Sequence, residues 1–439
     1  MTENLRQEIE GLIKKSGMPP YMYADSSKFQ KGKTPVLYSG QYWSSDELVG
    51  AIESLLAGHW ISAGEKVKEF ESRFTDVISD KYGIMVNSGS SANLVMLASL
   101  KEKFGWNSRS GIIVSPVGFP TTISAIEQNG LKSIFIDIEM DTLNFDVNLI
   151  EEKIKNYKGK TVGIFVSPVL GNPPDFDTLS HLCKKYDLKL ILDCCDSLGS
   201  KWDNRYLNQY AIASSHSFYP AHTISTGEGG MITTNDAQLS KIARSYSSWG
   251  RACFCYGSES LLKDGACKKR FSGWLKNYDG IVDHKYIYDR VGYNLKPLDL
   301  QGAIGLAQLK KLQDIISFRS VSRMVMSQIF SSIEGVGFPK ELPKAEVAWF
   351  GTPIVCETRD LKEALVKHLE ENLIQTRNYF AGNLLFHKGF RHLGDWKEYP
   401  NSNQVLSKVF FVGASPHYNS QIFGYVKEVV ERFNEKWKL

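Results

Sequence analysis

The sequence predicts an α/β fold, a wound and largely parallel sheet with helices on both faces, followed by a smaller α+β domain. Three observations carry this. Short apolar runs alternate with amphipathic helical patterns between residues 82 and 196. The runs are near-continuous in Val, Ile and Leu, as strands buried on both faces are. The composition of the 439 residues, 42% hydrophobic and 23% charged, is that of a globular chain able to bury a sizeable core without disulfide or metal staples.

Residues 1–38 read as a polar leader that wraps the surface, with a helix-like start and then Pro19, Pro20, Gly32 and Pro35. ELVGAIESLLAG (47–58) and EKVKEFESRFTDVI (65–78) repeat apolar residues at i, i+3, i+4, so helices open the large domain expected over 39–305. The strand candidates are YGIMVN (82–87), SGIIVS (110–115), KSIFIDI (132–138), TVGIFVS (161–167) and LKLILDCCD (188–196). Between them lie the helical patterns SANLVMLASLKEKF, TTISAIEQNG, DVNLIEEKIKN and DTLSHLCKKYD. GEGGMITTN (227–235) reads as one more strand behind a glycine turn, and residues 298–318 as one long helix bridging to a small domain over 306–439. TPIVCE and KEALVKHLEEN supply that domain with a strand and a helix; no internal repeat is visible.

The 52 Lys and Arg against 48 Asp and Glu leave only +4, without long like-charge runs, which argues against a nucleic-acid or anionic-membrane footprint. No stretch approaches the roughly 18 apolar residues of a membrane helix, and MTENLRQEIEGLIKKSG lacks the apolar core of a signal peptide. A cytoplasmic protein with a small-molecule partner is expected. There the seven cysteines, an odd number, read as metal ligands, redox groups or core rather than disulfides.

NSGSSANLVML (87–97) sets Asn87, Ser88, Gly89, Ser90 and Ser91 between a strand and a helix, where unpaired N–H groups and the helix dipole favour an anion such as phosphate. An ordinary capped turn has the same residues. Asp193 closes LKLILD at the carboxyl edge of the sheet, where open α/β sheets bind ligands, although an aspartate capping the next turn would look alike.

Taken with Trp60-Ile61-Ser62, Gly227-Glu228-Gly229-Gly230 and Gly292-Tyr293-Asn294-Leu295-Lys296, these pieces resemble the sugar aminotransferase family of fold-type-I pyridoxal-phosphate enzymes, from about residue 36 to the C-terminus. The resemblance implies the aspartate-aminotransferase-like fold, with Gly89, Ser90 and Ser217 on the cofactor phosphate and Asp193 at the pyridine nitrogen. It places Phe119 against the ring, in Gly118-Phe119-Pro120-Thr121-Thr122. Asn294 resembles a residue lent to the neighbouring subunit's cofactor, which implies a homodimer. Such a carboxylate keeps the pyridinium protonated, so that the ring can accept electrons.

In that family a lysine before the glycine turn carries the cofactor. Here the stretch reads Ser217-Phe218-Tyr219-Pro220-Ala221-His222-Thr223-Ile224, with His222 in the lysine's place. Imidazole forms no stable imine, yet with an ordinary pKa near 6.5 it is a good general base. A core histidine, or a non-catalytic binding protein of this fold, are the alternatives. The exchange resembles two branches of 3-dehydratases of nucleotide-linked 4-keto-6-deoxyhexoses. One acts on GDP-linked sugars without a metal; the other acts on CDP-4-keto-6-deoxy-D-glucose with an iron–sulfur cluster.

The cysteines discriminate between them. Cys195 is followed by 57 residues, then Cys253-Phe254-Cys255, then 11 residues and Cys267. Thiolates are soft ligands and four hold a [2Fe-2S] unit. The first two gaps resemble the iron–sulfur branch; the last is longer, which an insertion, SESLLKD, would explain. Buried cysteines of the core are the alternative, as for Cys183, Cys194 and Cys356. The resemblance then implies pyridoxamine 5'-phosphate (PMP, the amine form of pyridoxal phosphate, PLP), a [2Fe-2S] cluster, and an NAD(P)H-dependent flavin or iron–sulfur reductase as electron source. Arg377, in Arg377-Asn378-Tyr379-Phe380-Ala381-Gly382-Asn383, resembles the sugar-site loop and would pair with a diphosphate, or simply cap a surface helix.

Overall fold

The computed structural model describes residues 2–16, 29–57, 61–253, 255, 263, 268–272 and 275–437, so that Trp60 and Cys267 lie outside the described residues. Helices α1 (Glu3–Ser16), α2 (Ser45–Ala57) and α3 (Glu65–Ile78) precede the first strand, β1 (Tyr82–Val86). Parallel pairing demands a crossover between strands, and the chain supplies helices for it. α4 (Gly89–Phe104) leads to β2 (Ser110–Val114), α5 (Pro120–Gln128) to β3 (Lys132–Phe135), α6 (Ile150–Asn156) to β4 (Lys160–Val166), and α7 (Phe176–Tyr186) to β5 (Lys189–Asp193). A short hairpin of β6 (Lys201–Trp202) and β7 (Arg205–Tyr206) comes before β8 (Ala213–Ser217), β9 (Gly230–Thr234) and α8 (Ala237–Ser247).

Among the described residues the central sheet has seven strands in the order β1-β9-β8-β5-β4-β2-β3. Its faces are both buried, as the unbroken apolar runs require: Ile112, Val114 and Ile191 join one cluster, while their neighbours Ile113, Leu190 and Leu192 join the other. The one departure from a parallel sheet is β9, which runs antiparallel to both β1 and β8. The connection over residues 218–229 holds no helix, and an antiparallel return needs none. That connection carries His222.

The helix expected over residues 298–318 is two, α9 (Asp299–Leu309) and α10 (Leu312–Phe330). At the break Lys311 places Nζ 2.8 and 2.9 Å from the carboxylate of Glu47, and 2.7 Å from Ser44 Oγ. Glu47 is fully buried, and Gln308 also donates to it at 2.7 Å. A buried carboxylate needs such partners, and satisfying it turns the chain. Beyond lie β10 (Val336–Gly337), β11 (Ala345–Glu346), β12 (Gly351–Cys356), α11 (Arg359–Glu371), β13 (Thr376–Asn378), α12 (Pro400–Lys408), β14 (Val409–Gly413) and α13 (Ser420–Trp437). Four of these strands form an antiparallel sheet in the order β10-β12-β14-β13, while β11 pairs with β6. The expected boundary at residue 305 falls inside α9. In the leader, Arg6 of α1 meets Glu53 of α2 at 3.4 Å, and the buried Val36 bridges to Ile374. No helix among the described residues is long and apolar enough to cross a membrane.

Candidate active site

At the carboxyl ends of β1, β5 and β8 the residues singled out in the sequence come together around a cavity of about 650 Å³. Ser88 caps α4: its Oγ accepts the Ser91 N–H at 3.1 Å and its carbonyl the Ala92 N–H at 3.0 Å. The first N–H groups of a helix have no intrahelical acceptor, and Gly89 and Ser90, which carry two of them, line the cavity. Ser217 ends β8 in register with Gly230 of β9, just as Val86 of β1 does on the other side. A Cβ on Gly230 would lie 2.2 Å from Ser88 O and 2.6 Å from Gly89 N, so only glycine lets β9 pass beneath the loop. Gly230→Ala is therefore expected to displace the Ser88–Ser90 loop, costing about 1–3 kcal/mol of stability and weakening phosphate and PLP binding together. Thermal unfolding and PLP titration read both.

Asp193 ends β5, buried, with every partner a donor. Asn93 Nδ2 and Thr122 Oγ1 each donate to Oδ2 at 2.7 Å, and the Cys195 N–H donates to Oδ1 at 3.2 Å. Asn93 is itself oriented by Ser215, whose Oγ donates to its Oδ1 at 2.5 Å. Such a set fixes the orientation of the carboxylate at the strand end. The sequence reading did not assign Asn93, Thr122 or Ser215. A signal existed in Asn93, a polar residue inside the apolar helix pattern SANLVML.

His222 faces the same cavity. Its ring lies 5.3 Å from that of Phe350, and Nδ1 approaches Asp196 Oδ1 at 3.5 Å without forming a hydrogen bond. Burial and the nearby Arg319 guanidinium lower the imidazole to about 3, so it is neutral at physiological pH. Burial, and then the Asp193 charge, raise Asp196 to about 7. The buried Arg319, from α10, fixes the backbone here, donating to Ala221 O at 2.9 Å, His222 O at 3.1 Å and Phe350 O at 2.7 Å. Neither Asp196 nor Arg319 carried a signal in the sequence.

At the mouth, Phe119 is 51% exposed and meets Phe380 edge-on at 5.9 Å. Arg377 lies 4.3 Å over the Tyr38 ring and donates to Thr376 O at 2.7 Å. Asn294 is exposed, outside this cavity, and accepts from Lys296 Nζ. The cysteines divide. Cys195 lines the cofactor cavity, and its thiol is pushed well up by burial and by Asp193. Cys253 lines a different cavity and groups with Cys255 and His284, each offering one ligand atom within 4.8 Å of the other two. Cys183 and Cys356 have thiols raised to about 12 by burial, as does the fully buried Cys194, which suits core residues.

The donor set fits a pyridoxal-phosphate-type cofactor, with a helix N-terminus and serine hydroxyls for the phosphate and a fixed carboxylate deeper in. Residues 44–433 match the model of the DegT/DnrJ/EryC1/StrS aminotransferase family. The chain belongs to this family. Among DegT/DnrJ/EryC1/StrS relatives it is similar to the dTDP-4-dehydro-2,6-dideoxy-D-glucose 3-dehydratase of Saccharopolyspora spinosa, 35% identical over 94% of this chain and 89% of that one. It is 34% identical to the lipopolysaccharide biosynthesis protein RfbH of Salmonella typhimurium, over 98% of each chain. The Escherichia coli GDP-4-keto-6-deoxy-D-mannose-3-dehydratase, a family structure solved with bound hydrated PLP, superposes with a TM-score of 0.78 at 27% identity, covering 90% of this chain and 99% of that one. The aminotransferase fold expected from the sequence is thus the fold of this chain.

Proposed function

We propose that the protein is a PMP-dependent 3-dehydratase of a nucleotide-linked 4-keto-6-deoxyhexose, with CDP-4-keto-6-deoxy-D-glucose as substrate, serving 3,6-dideoxyhexose synthesis. One observation carries the reading: the cavity presents the phosphate loop, Asp193 and His222, and among the described residues no lysine lines it. Without that lysine the site cannot tether the cofactor covalently, while a neutral imidazole remains to move protons. When bound, the cofactor supplies an amine for the sugar ketone and a ring that accepts electrons.

The chain's own residues do the rest. Ser217 and the α4 N-terminus hold the phosphate, Asp193 holds the ring nitrogen's proton, and Phe119 covers the ring from the mouth. His222 removes a proton on the reacting face and returns one to the departing C3 oxygen. Arg377 receives the diphosphate. A homodimer in which Asn294 completes the partner's cavity is supported by its exposure beside the exposed Val291 and Leu298.

Asp196 tunes the base. Its carboxylate beside Nδ1 stabilises the imidazolium formed during proton removal, so activity is expected to rise with pH through the Asp196 value of about 7. Asp196→Asn is expected to lose that rise and run at the low-pH plateau throughout. A pH–rate profile of both proteins checks this, and an unchanged profile would reject the pairing.

Net replacement of the C3 hydroxyl by hydrogen needs two electrons. The cysteine spacing supports a [2Fe-2S] unit fed by an NAD(P)H-dependent reductase. A second reading is a metal-free dehydratase, favoured by the division of the cysteines and by GDP-4-keto-6-deoxy-D-mannose 3-dehydratase of Yersinia pseudotuberculosis, 32% identical over 79% of this chain. Iron and sulfide content of anaerobically purified protein, with assays on CDP-, dTDP- and GDP-linked 4-keto sugars with and without reductant, decides between them. No conversion of any of these sugars would reject the dehydratase assignment itself.

A further inference from the structure

We infer that Tyr38, at the end of the leader, is a positioning residue for Arg377: its ring holds the guanidinium at the cavity mouth, ready for the diphosphate of a nucleotide-linked sugar. As sequence, this segment reads only as surface wrapping. The anion that Arg377 receives rests on the proposed function; the placement of Arg377 by Tyr38 does not.

Backbone pairing delivers the ring. Val36 N donates to Leu373 O at 2.8 Å and Gln375 N to Val36 O at 2.9 Å, so the leader lies as a short parallel partner beside the start of β13. Tyr38 N then donates to the Gln375 side-chain carbonyl at 3.3 Å. On either side of it, Tyr418 Oη donates to Leu37 O at 2.6 Å, and Ser39 Oγ to Ala221 O at 2.7 Å. The segment is thus pinned to the C-terminal sheet and to the loop that carries His222, with Tyr38 held between them.

The ring completes a stack on one face of that sheet. Arg377 of β13 and Phe411 of β14 are register partners, and side chains directly opposite one another project from the same face. The Tyr38 ring meets Phe411 edge-on at 6.0 Å and lies beneath the Arg377 guanidinium, its centroid 4.3 Å from Cζ, where the ring's negative face attracts a cation. All three residues line the cavity. Arg377 is otherwise lightly held. One N–H goes to Thr376 O at 2.7 Å, and among the described residues no carboxylate pairs with it. A guanidinium has further N–H donors in the same plane, so these stay open to an anion while the ring fixes the plane. A long cationic side chain loses much rotamer freedom when it is immobilised, and ordering it in advance removes that cost from ligand binding.

The test uses the full chain loaded with PMP, as the native protein, Tyr38→Phe, Tyr38→Leu, Arg377→Gln and the last two combined. Leucine keeps an apolar contact for Phe411 while removing the ring. Calorimetry with CDP, dTDP and GDP reads affinity for the diphosphate, and turnover of the linked 4-keto sugars reads KM and kcat. Tyr38→Leu is expected to weaken nucleoside diphosphate binding and raise KM by about 2–30-fold, the range of a cation–π contact, with the loss carried by KM rather than kcat. Tyr38→Phe keeps the ring and is expected to restore native affinity. On the Arg377→Gln background Tyr38→Leu is expected to cost nothing further. No loss in Tyr38→Leu, an equal loss in Tyr38→Phe, additive losses in the double variant, or a parallel loss of PMP affinity would overturn the inference. If the native protein binds none of these nucleotides, the diphosphate role falls and the placement is read directly by magnetic resonance of arginine-labelled protein. The guanidinium signal that is absent from Arg377→Gln is expected to shift in Tyr38→Leu and to hold in Tyr38→Phe. A signal unmoved in Tyr38→Leu would overturn the placement as well.

Discussion

His222→Asn is expected to lower conversion of the nucleotide-linked 4-keto sugar by about 10²–10⁴-fold, the range a positioned general base contributes, while leaving PMP affinity unchanged. Asparagine is smaller and neutral, and His222 is itself neutral at the working pH, so no buried charge is added or lost. The two backbone carbonyls at 221 and 222 keep their bonds to Arg319. Gly89, Ser90, Ser217 and Asp193 are untouched. Turnover beside equilibrium dialysis of PMP separates the two effects. An equal loss of both would mean that the histidine holds the cofactor rather than moves protons. His222→Lys sharpens the point by restoring a primary amine at that place: borohydride treatment of the PLP-loaded variant is expected to leave the cofactor attached to the chain after denaturation, and failure of that attachment would show that residue 222 does not face the aldehyde.

Asp193→Asn is expected to fail differently, losing cofactor affinity, turnover and stability together. All three partners of this carboxylate are donors, and Asn93 presents its amide because its carbonyl is taken by Ser215. An amide at 193 that turns its oxygen toward Asn93 and Thr122 points its own N–H groups at the Cys195 N–H. Both that amide and the Cys195 N–H are left without an acceptor, at about 1–3 kcal/mol each. The negative charge opposite the ring nitrogen also disappears. Loss of one such preorganised electrostatic group costs on the order of 10²–10³-fold in turnover. PMP binding, turnover and urea unfolding are the three readouts. Native cofactor affinity with lost turnover alone would place the ring nitrogen elsewhere.

The legible parts of the chain were those written in contiguous residues. EKVKEFESRFTDVI gave helix α3 over Glu65–Ile78 because its period is local, and LKLILD led directly to Asp193 at a strand end. His222 was conspicuous because a single position departs from a motif that otherwise matches. What stayed hidden depends on residues distant in sequence. The break before α10 is set by Glu47, which lies far upstream on α2. The direction of β9 goes with a connection that holds no crossover helix. Asn93, Thr122 and Ser215 looked like ordinary polar residues until folding assembled them into one network. The cysteines gave their spacing but not their company: Cys195 went to the cofactor cavity and His284, with no spacing rule to announce it, went to Cys253 and Cys255.

Arg319 makes the loop that carries His222 a tenant of the second sheet's helices. Helix α10, which packs against β12 and α13, reaches across to the carbonyls of Ala221 and His222, to Phe350 O, and to Ser39 Oγ, just past the leader, at 3.3 Å. His222 therefore takes its coordinates from the C-terminal half, although it sits on a loop of the central sheet. An excised α/β half would keep the Ser88–Ser90 loop and Asp193 but lose the register of His222. Grafting a foreign C-terminal half onto this sheet, as one would to change sugar preference, preserves the chemistry only when the graft carries an arginine at the same reach.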